Sequence, residues 1–363
     1  MKKIIAFIFI FFLLNFGVKA EEFTILPSQN GLVRDIKYID TNNDTSELKQ
    51  IVDIELLEGD FKGNIVQVDN MLTGNPYYDI KLKKNTKVIL HVEKDGDNLI
   101  FSIEDIKRSD TLIFLSLLFC TLLIYIGRKK GVFSLISIGI TCFLISNVLA
   151  PLILLGISPV VAAILICIIS TAITMYSVGG ANYKSASATI GCVLSIIFAA
   201  LLSIFTVKMA NLTGFTGEHT SYLYSAHPEL DLVSILIATI IIATLGAVMD
   251  VAMSISSTIN EIYITDNTKT IKELFNSGMN VGRDIIGTMA NTLILVYLGT
   301  FLPLLLLASN IDFQKFVNLN QVVAEISSAL IGSCSIIVCV PITAFVASYL
   351  IRNKTIEDVS LDL

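Results

Sequence analysis

The stretch LGAVMDVAMSISSTINEI, Leu245–Ile262, decides how this chain is read, because it sets one carboxylate, Asp250, in an apolar run that begins near Leu232. A charged side chain at that depth costs about 2.5–3.5 kcal/mol on insertion scales, so Asp250 is expected to face neighbouring helices or water rather than lipid. At about 100° per residue, Ala243, Ala247, Asp250, Ser254, Ser257 and Glu261 fall within roughly 40° of one line along a helix. The run therefore reads as a membrane span with a small and polar stripe. Two readings of that stripe stand together: an ion- or proton-responsive site, or an acid bonded to neighbouring helices as packing glue.

Outward from this helix the same apolar character recurs. Seven segments, about 111–127, 132–150, 158–178, 186–207, 232–253, 285–308 and 328–350, are each long enough at 1.5 Å per residue to cross a hydrocarbon core of about 30 Å. With 54% hydrophobic residues, 15% charged residues and a mean hydropathy of +0.75, the chain is an integral protein of the lipid bilayer, an α-helical polytopic bundle of about seven spans at 109–352. The net charge of −6 comes largely from Glu21–Asp110, with 18 acidic and 11 basic residues, and no clustered basic surface suggests nucleic acid as a partner. All six cysteines lie in apolar runs, which argues against disulfides and a zinc site.

The N-terminus has Lys2 and Lys3, an apolar run Ile4–Leu14, then Val18, Lys19 and Ala20, the layout of a signal peptide or signal anchor over residues 1–20. Residues 21–108 change to short alternating runs, IVDIEL, GNIVQVDNML, YYDIKL, KVILHVE and LIFSIED, with a hairpin turn at Asp95–Asn98. Five or six strands in this length suggest a small all-β domain, an OB-like barrel or a sandwich. If that domain is extracytoplasmic, nine Lys and Arg (Arg128, Lys129, Lys130, Lys184, Lys269, Lys272, Arg283, Arg352 and Lys354) fall on the inner side, against Lys208 and Lys315 outside. This agrees with the positive-inside rule and leaves the 353–363 tail cytoplasmic.

The outer loop Lys208–Asp231 carries Glu218, His219, His227, Glu229 and Asp231, but with no recognised ligand spacing no metal is expected. The inner loop Asn260–Asp284 contains TKTIKELFNSGMN, which predicts a short amphipathic helix ending near Gly278. In the sixth span Asp284, Gly287, Thr288 and Asn291 share a face, with Arg283 beside them as a counter-charge for Asp250 or Asp284. The fourth span offers Ala188, Cys192, Ser195 and Ala199, and the seventh offers Ser328, Gly332, Ser335 and Cys339, faces that small-residue packing explains on its own. HExxH, GxSxG and phosphate-loop patterns do not occur, so neither catalysis nor a cofactor is expected.

Three stretches, LGAVMDVAMSISS at Leu245–Ser257, LFNSGMNVGRDIIGTMANTLILVYLG at Leu274–Gly299 and VPITAF at Val340–Phe345, resemble the YibE/F family of bacterial multi-spanning membrane proteins over about residues 110–350. Ala290 departs from the pattern, standing where many relatives have Thr. The resemblance implies a bacterial plasma-membrane protein with the same bundle, and a polar set of Asp250, Glu261, Arg283, Asp284 and Asn291. It supplies no mechanism. The residues themselves suggest a permease-like protein whose fifth, sixth and seventh spans surround a polar path of Asp250, Ser254, Ser257, Glu261, Arg283, Asp284, Thr288 and Asn291. The alternative is a membrane scaffold or sensor whose β domain binds an extracytoplasmic protein or ligand.

Overall fold

The computed structural model describes residues 28–40, 48–59, 61–95 and 98–353. The expected signal segment at 1–20, the turn residues 96–97 and the tail beyond 353 lie outside the described residues. Two compact units are present, one extending to Leu122 and one from Leu123 onward, so the first turns of the helical region belong with the β module.

In the first unit β1 (Gln29–Asp40), β2 (Leu48–Leu56), β3 (Ile65–Leu72), β4 (Lys87–Asp95) and β5 (Asn98–Ile106) form one antiparallel sheet ordered β3-β2-β1-β4-β5. The outer strands β3 and β5 approach each other, so the sheet curls into a partly open barrel rather than a two-layer sandwich. Alternation sets the core: Val52, Ile54 and Leu56 of β2 and Val88, Leu90 and Val92 of β4 point inward and are buried.

YYDIKL, expected as a strand, is a turn and extended loop, although Leu82 is fully buried. Side chains take the place of a ladder there. Asn70 Nδ2 donates to Ile80 O at 2.7 Å and to Gln50 Oε1 at 2.9 Å, and Leu82 N donates to the same Gln50 oxygen at 3.3 Å. At the head of the loop, backbone hydrogen bonds from Thr73 and Gly74 hold the Asp79 carboxyl below the usual carboxylate range.

Gln50 is fully buried, so truncation leaves donors without acceptors. Gln50→Ala should cost about 1–3 kcal/mol. Native-state hydrogen exchange on the full chain checks this: Leu82 amide protection should drop about tenfold or more, and unchanged protection would contradict it.

Six helices in the described residues are long and apolar enough to cross a membrane. The first spans 46 residues, Ser109–Leu154: α1 (Ser109–Phe143), a π-helical Leu144–Leu149 and α2 (Ala150–Leu154). Straight, it would measure about 70 Å, more than twice the hydrocarbon core. It breaks at Arg128, where φ is 49° and ψ is −127°. A side chain on Gly131 would run into the Leu123 carbonyl, so the chain turns back sharply there. The two arms coincide with the first two apolar segments expected from sequence, which accounts for seven segments on six long helices.

The remaining helices are α3 (Pro159–Gly179), α4 (Tyr183–Met209), α5 (Glu218–Ala226), α6 (Leu232–Thr265), α7 (Ile271–Thr300), α8 (Leu302–Leu307), α9 (Phe313–Val317) and α10 (Asn320–Arg352). At the centre α4, α6 and α10 pack on one another, with α3 against α4 and α6, and α7 against α10 and α6. Small residues allow this approach. Ala188, Cys192, Ser195 and Ala199 of α4 and Ser335 and Cys339 of α10 are fully buried. Their hydroxyls turn back to their own helices: Ser195 Oγ donates to Gly191 O at 2.7 Å and Ser335 Oγ to Ile331 O at 2.7 Å. These two stripes are packing faces.

Candidate functional site

Two helices carry the polar set. Asp231 caps the start of α6, accepting from the Val233 and Ser234 backbone N–H groups at 3.0 and 3.3 Å. The Ser234 hydroxyl, donating at 2.5 Å, helps hold this carboxyl below its usual range. Thr270 and Glu273 close a capping box at the start of α7, with Thr270 N donating to Glu273 Oε2 at 2.8 Å and Glu273 N to Thr270 Oγ1 at 3.3 Å.

The short amphipathic helix expected to end at Gly278 is instead the first part of α7, which runs unbroken to Thr300. Gly278 serves packing: a Cβ there would lie 2.6 Å from Ile259 Cδ1 of α6 and 3.2 Å from Ala344 Cβ of α10. A second crossing lies where a Cβ on Gly332 would be 2.5 Å from Leu293 Cδ2 and 3.6 Å from Thr244 Oγ1. Fifteen residues separate these crossings on either helix, Thr244 to Ile259 and Gly278 to Leu293, so α6 and α7 run antiparallel in step. Asp250, nine residues from Ile259, is therefore level with Gly287, nine from Gly278.

The direction these faces take corrects the expectation. On α6 the opposite side, Ile241, Val248, Ile255 and Ile259, is fully buried, whereas Asp250, Ser254 and Glu261 are exposed and Ser257 is half-buried. On α7 Leu274, Gly278 and Gly282 are buried, whereas Arg283, Asp284, Gly287, Thr288, Asn291 and Thr292 are exposed. Both polar rows turn outward from the single chain, and α10 lies behind them. A path enclosed by the fifth, sixth and seventh spans of one chain is not formed. Asp250 takes no part in the central interior, which the small-residue contacts of α4, α6 and α10 already fill, and lies on the outward side of α6.

Asp250 and Asp284 have no hydrogen-bond or ion-pair partner among the described residues, and Asp250 does not bond to Asn291. Arg283 pairs with neither acid; its Nη1 donates to Asn280 Oδ1 at 2.9 Å. The Thr288 hydroxyl donates to Ile285 O at 3.0 Å, which leaves its oxygen lone pairs outward. In the loop before α6, His227 Nδ1 and Glu229 Oε1 lie 3.0 Å apart, and among the described residues no three ligand-type side chains gather.

One acid lies within a long apolar helix, ahead of the apolar segment expected at 328–350. Glu325 lies within α10, half-buried beside a cavity of about 170 Å³ lined by Ile294, Tyr297, Leu298, Phe301 and Leu330. Its signal was present: VVAEI is apolar on both sides of the acid, so the span begins at Asn320 once one carboxylate is allowed inside it.

Comparison with known proteins agrees with this architecture. The family described as YibE/F-like protein matches residues 115–353, and the YibE/F family N-terminal domain matches residues 32–106. No curated protein and no solved structure matches the chain. With the helical bundle and the β module each matched in sequence order, this chain belongs to the YibE/F-like family.

Proposed function

We propose that this protein is a non-enzymatic, permease-like membrane protein that moves an ion or small solute along the joined α6–α7 face, with Asp250 as its ion- or proton-responsive group. The observation that carries this reading is a carboxylate that is exposed and unpartnered among the described residues, at the level of Gly287 of α7, a helix whose Thr288 and Asn291 are exposed as well. Facing acyl chains, such a surface is costly, so water or another protein surface covers it. Carboxylate, hydroxyl and amide oxygens suit a proton or a hard cation better than an apolar solute. In this reading the protein sits in a bacterial plasma membrane with the β module extracytoplasmic and the C-terminus cytoplasmic, supported by the nine-to-two distribution of Lys and Arg.

Reconstitution in liposomes tests it. Proton and monovalent-cation flux through the wild-type protein should exceed that of empty vesicles, and Asp250→Asn should lower it about tenfold or more. A folded variant with undiminished flux would overturn the reading.

A specific observation favours a second reading, in which the β module recruits an extracytoplasmic protein and the bundle anchors it. Tyr77 and Tyr78 are 71% and 70% exposed on the loop held by Asp79, an unusual position for two adjacent aromatic rings. Under that reading Tyr77→Ser with Tyr78→Ser abolishes partner capture and leaves flux untouched.

A further inference from the structure

The face described above is incomplete in one chain. We propose that it is covered by the same face of a second copy, in a two-fold dimer whose axis runs along the membrane normal, with Arg283 of one copy meeting Asp250 of the other. The inference takes the α6–α7 face as the working surface, as the permease reading does, and names what closes it.

The choice of a second copy rests first on charge. The face carries a guanidinium and two carboxylates that remain unpaired with one another within the chain. On α7, Arg283 lies about 140° around the helix from Gly278, which touches Ile259 of α6, and on α6 Asp250 lies about 180° from Ile259, so the two charges sit on opposite flanks of the helix pair. A surface with both signs displaced to opposite flanks complements itself under a two-fold rotation, because in an isologous contact residue i meets j while j meets i. Two Arg283–Asp250 pairs then form at once.

Depth agrees with this arrangement. Copies inserted with one topology can be related only by an axis along the normal, which preserves depth. Asp250 is level with Gly287, four residues from Arg283 and roughly 6 Å away along the helix axis, a rise within reach of an arginine side chain.

Shape supplies a third argument. Gly246 and Gly287 both lie exposed on this face, and a Cβ built on either meets nothing within 4 Å. Neither glycine serves a contact among the described residues, whereas close approach of another helix would use both. Outward residues of α3, α4 and α10 include apolar ones that suit lipid, Leu165 and Ile169, Leu201 and Phe205, and Ile337 and Phe345. In the dimer Asp284 and Thr288 of both copies line the seam, which becomes the enclosed path that one chain lacks.

Cysteine cross-linking in native membranes tests the contact. In a background with Cys120, Cys142 and Cys334 changed to Ala, Thr288→Cys should give, on mild oxidation, a product of twice the 39.6 kDa chain mass, while Leu201→Cys should stay monomeric. Asp250→Arg should reduce that product about tenfold, and adding Arg283→Asp should restore it. Arg283→Gln provides a milder loss if Asp250→Arg inserts poorly. Native mass spectrometry of the wild-type protein in nanodiscs should independently find two copies. No cross-link at Thr288→Cys, an equal cross-link at Leu201→Cys, a product of any other mass, or failure of the charge exchange to restore it would overturn the dimer. A charge-dependent dimer without flux would sink the permease reading and leave this interface standing; flux through monomers would do the reverse.

Discussion

Gly191→Val is expected to prevent the bundle from closing. A Cβ at Gly191 of α4 would run into the Thr343 hydroxyl of α10 and lie 2.9 Å from Thr343 Cβ and 3.1 Å from its Cα. The last of these is backbone, so a rotamer change at Thr343 does not relieve it and the two helices must separate. That separation opens a closely packed seam, where Cys192 and Cys339 are fully buried and the Cys339 thiol reaches the Val248 carbonyl of α6 at 3.7 Å. Overpacking by one methyl costs about 1–3 kcal/mol, and a branched side chain costs more. Gly191→Ala should therefore give a destabilised but folded protein, and Gly191→Val a chain that does not reach its native packing. Maleimide labelling in detergent provides the measurement: Cys192 and Cys339 should be protected in the wild type, slowly labelled in Gly191→Ala and rapidly labelled in Gly191→Val. Gly299→Val is the control, since a Cβ on Gly299 meets nothing within 4 Å. If Gly191→Val kept both thiols protected, the α4–α10 spacing described above would be wrong.

The architecture was largely legible in the chain because lipid and hydrogen bonding leave few options. Apolar runs of the right length become helices, since a spanning backbone has to satisfy its own polar groups, and alternating runs such as IVDIEL become half-buried strands. YYDIKL was misread for a physical reason: alternation reports burial, and Leu82 is indeed buried, but side-chain amides of Gln50 and Asn70 hold this segment in place of a strand ladder. Glycine favours a helix end, yet at Gly278 the missing side chain makes room for Ile259 within a continuous helix.

The candidate site was legible in membership and not in direction. A helical wheel states which residues share a face, so Asp250, Ser254 and Glu261 do lie on one side of α6. Turning that side inward required the assumption that one chain buries all its polar surface alone. Interior space is already claimed by the small-residue faces of α4 and α10, where the Ser195 and Ser335 hydroxyls donate to carbonyls of their own helices. Glu325 was missed for a related reason: treating an acid as the boundary of a span excludes any acid that lies just within one.

The outward direction of Asp250 makes a second large effect predictable, with opposite signs for stability and activity. If Asp250 were internal glue, Asp250→Leu would remove hydrogen bonds and lower stability, by about 0.6 kcal/mol for an average contact between membrane helices. Because the carboxylate is exposed and has no partner among the described residues, the same change instead removes an acid whose insertion costs about 2.5–3.5 kcal/mol and adds a side chain that inserts favourably. Membrane yield of Asp250→Leu should match or exceed wild type, and the unfolding temperature of the detergent-dispersed monomer should not fall. Flux in liposomes should fall about tenfold or more, since leucine offers neither a charge nor an oxygen. The unfolding temperature separates a structural from a functional acid, as flux loss with a lower temperature would mean a damaged fold. Flux lost at an unchanged unfolding temperature would mark Asp250 as an acid whose role is functional rather than structural.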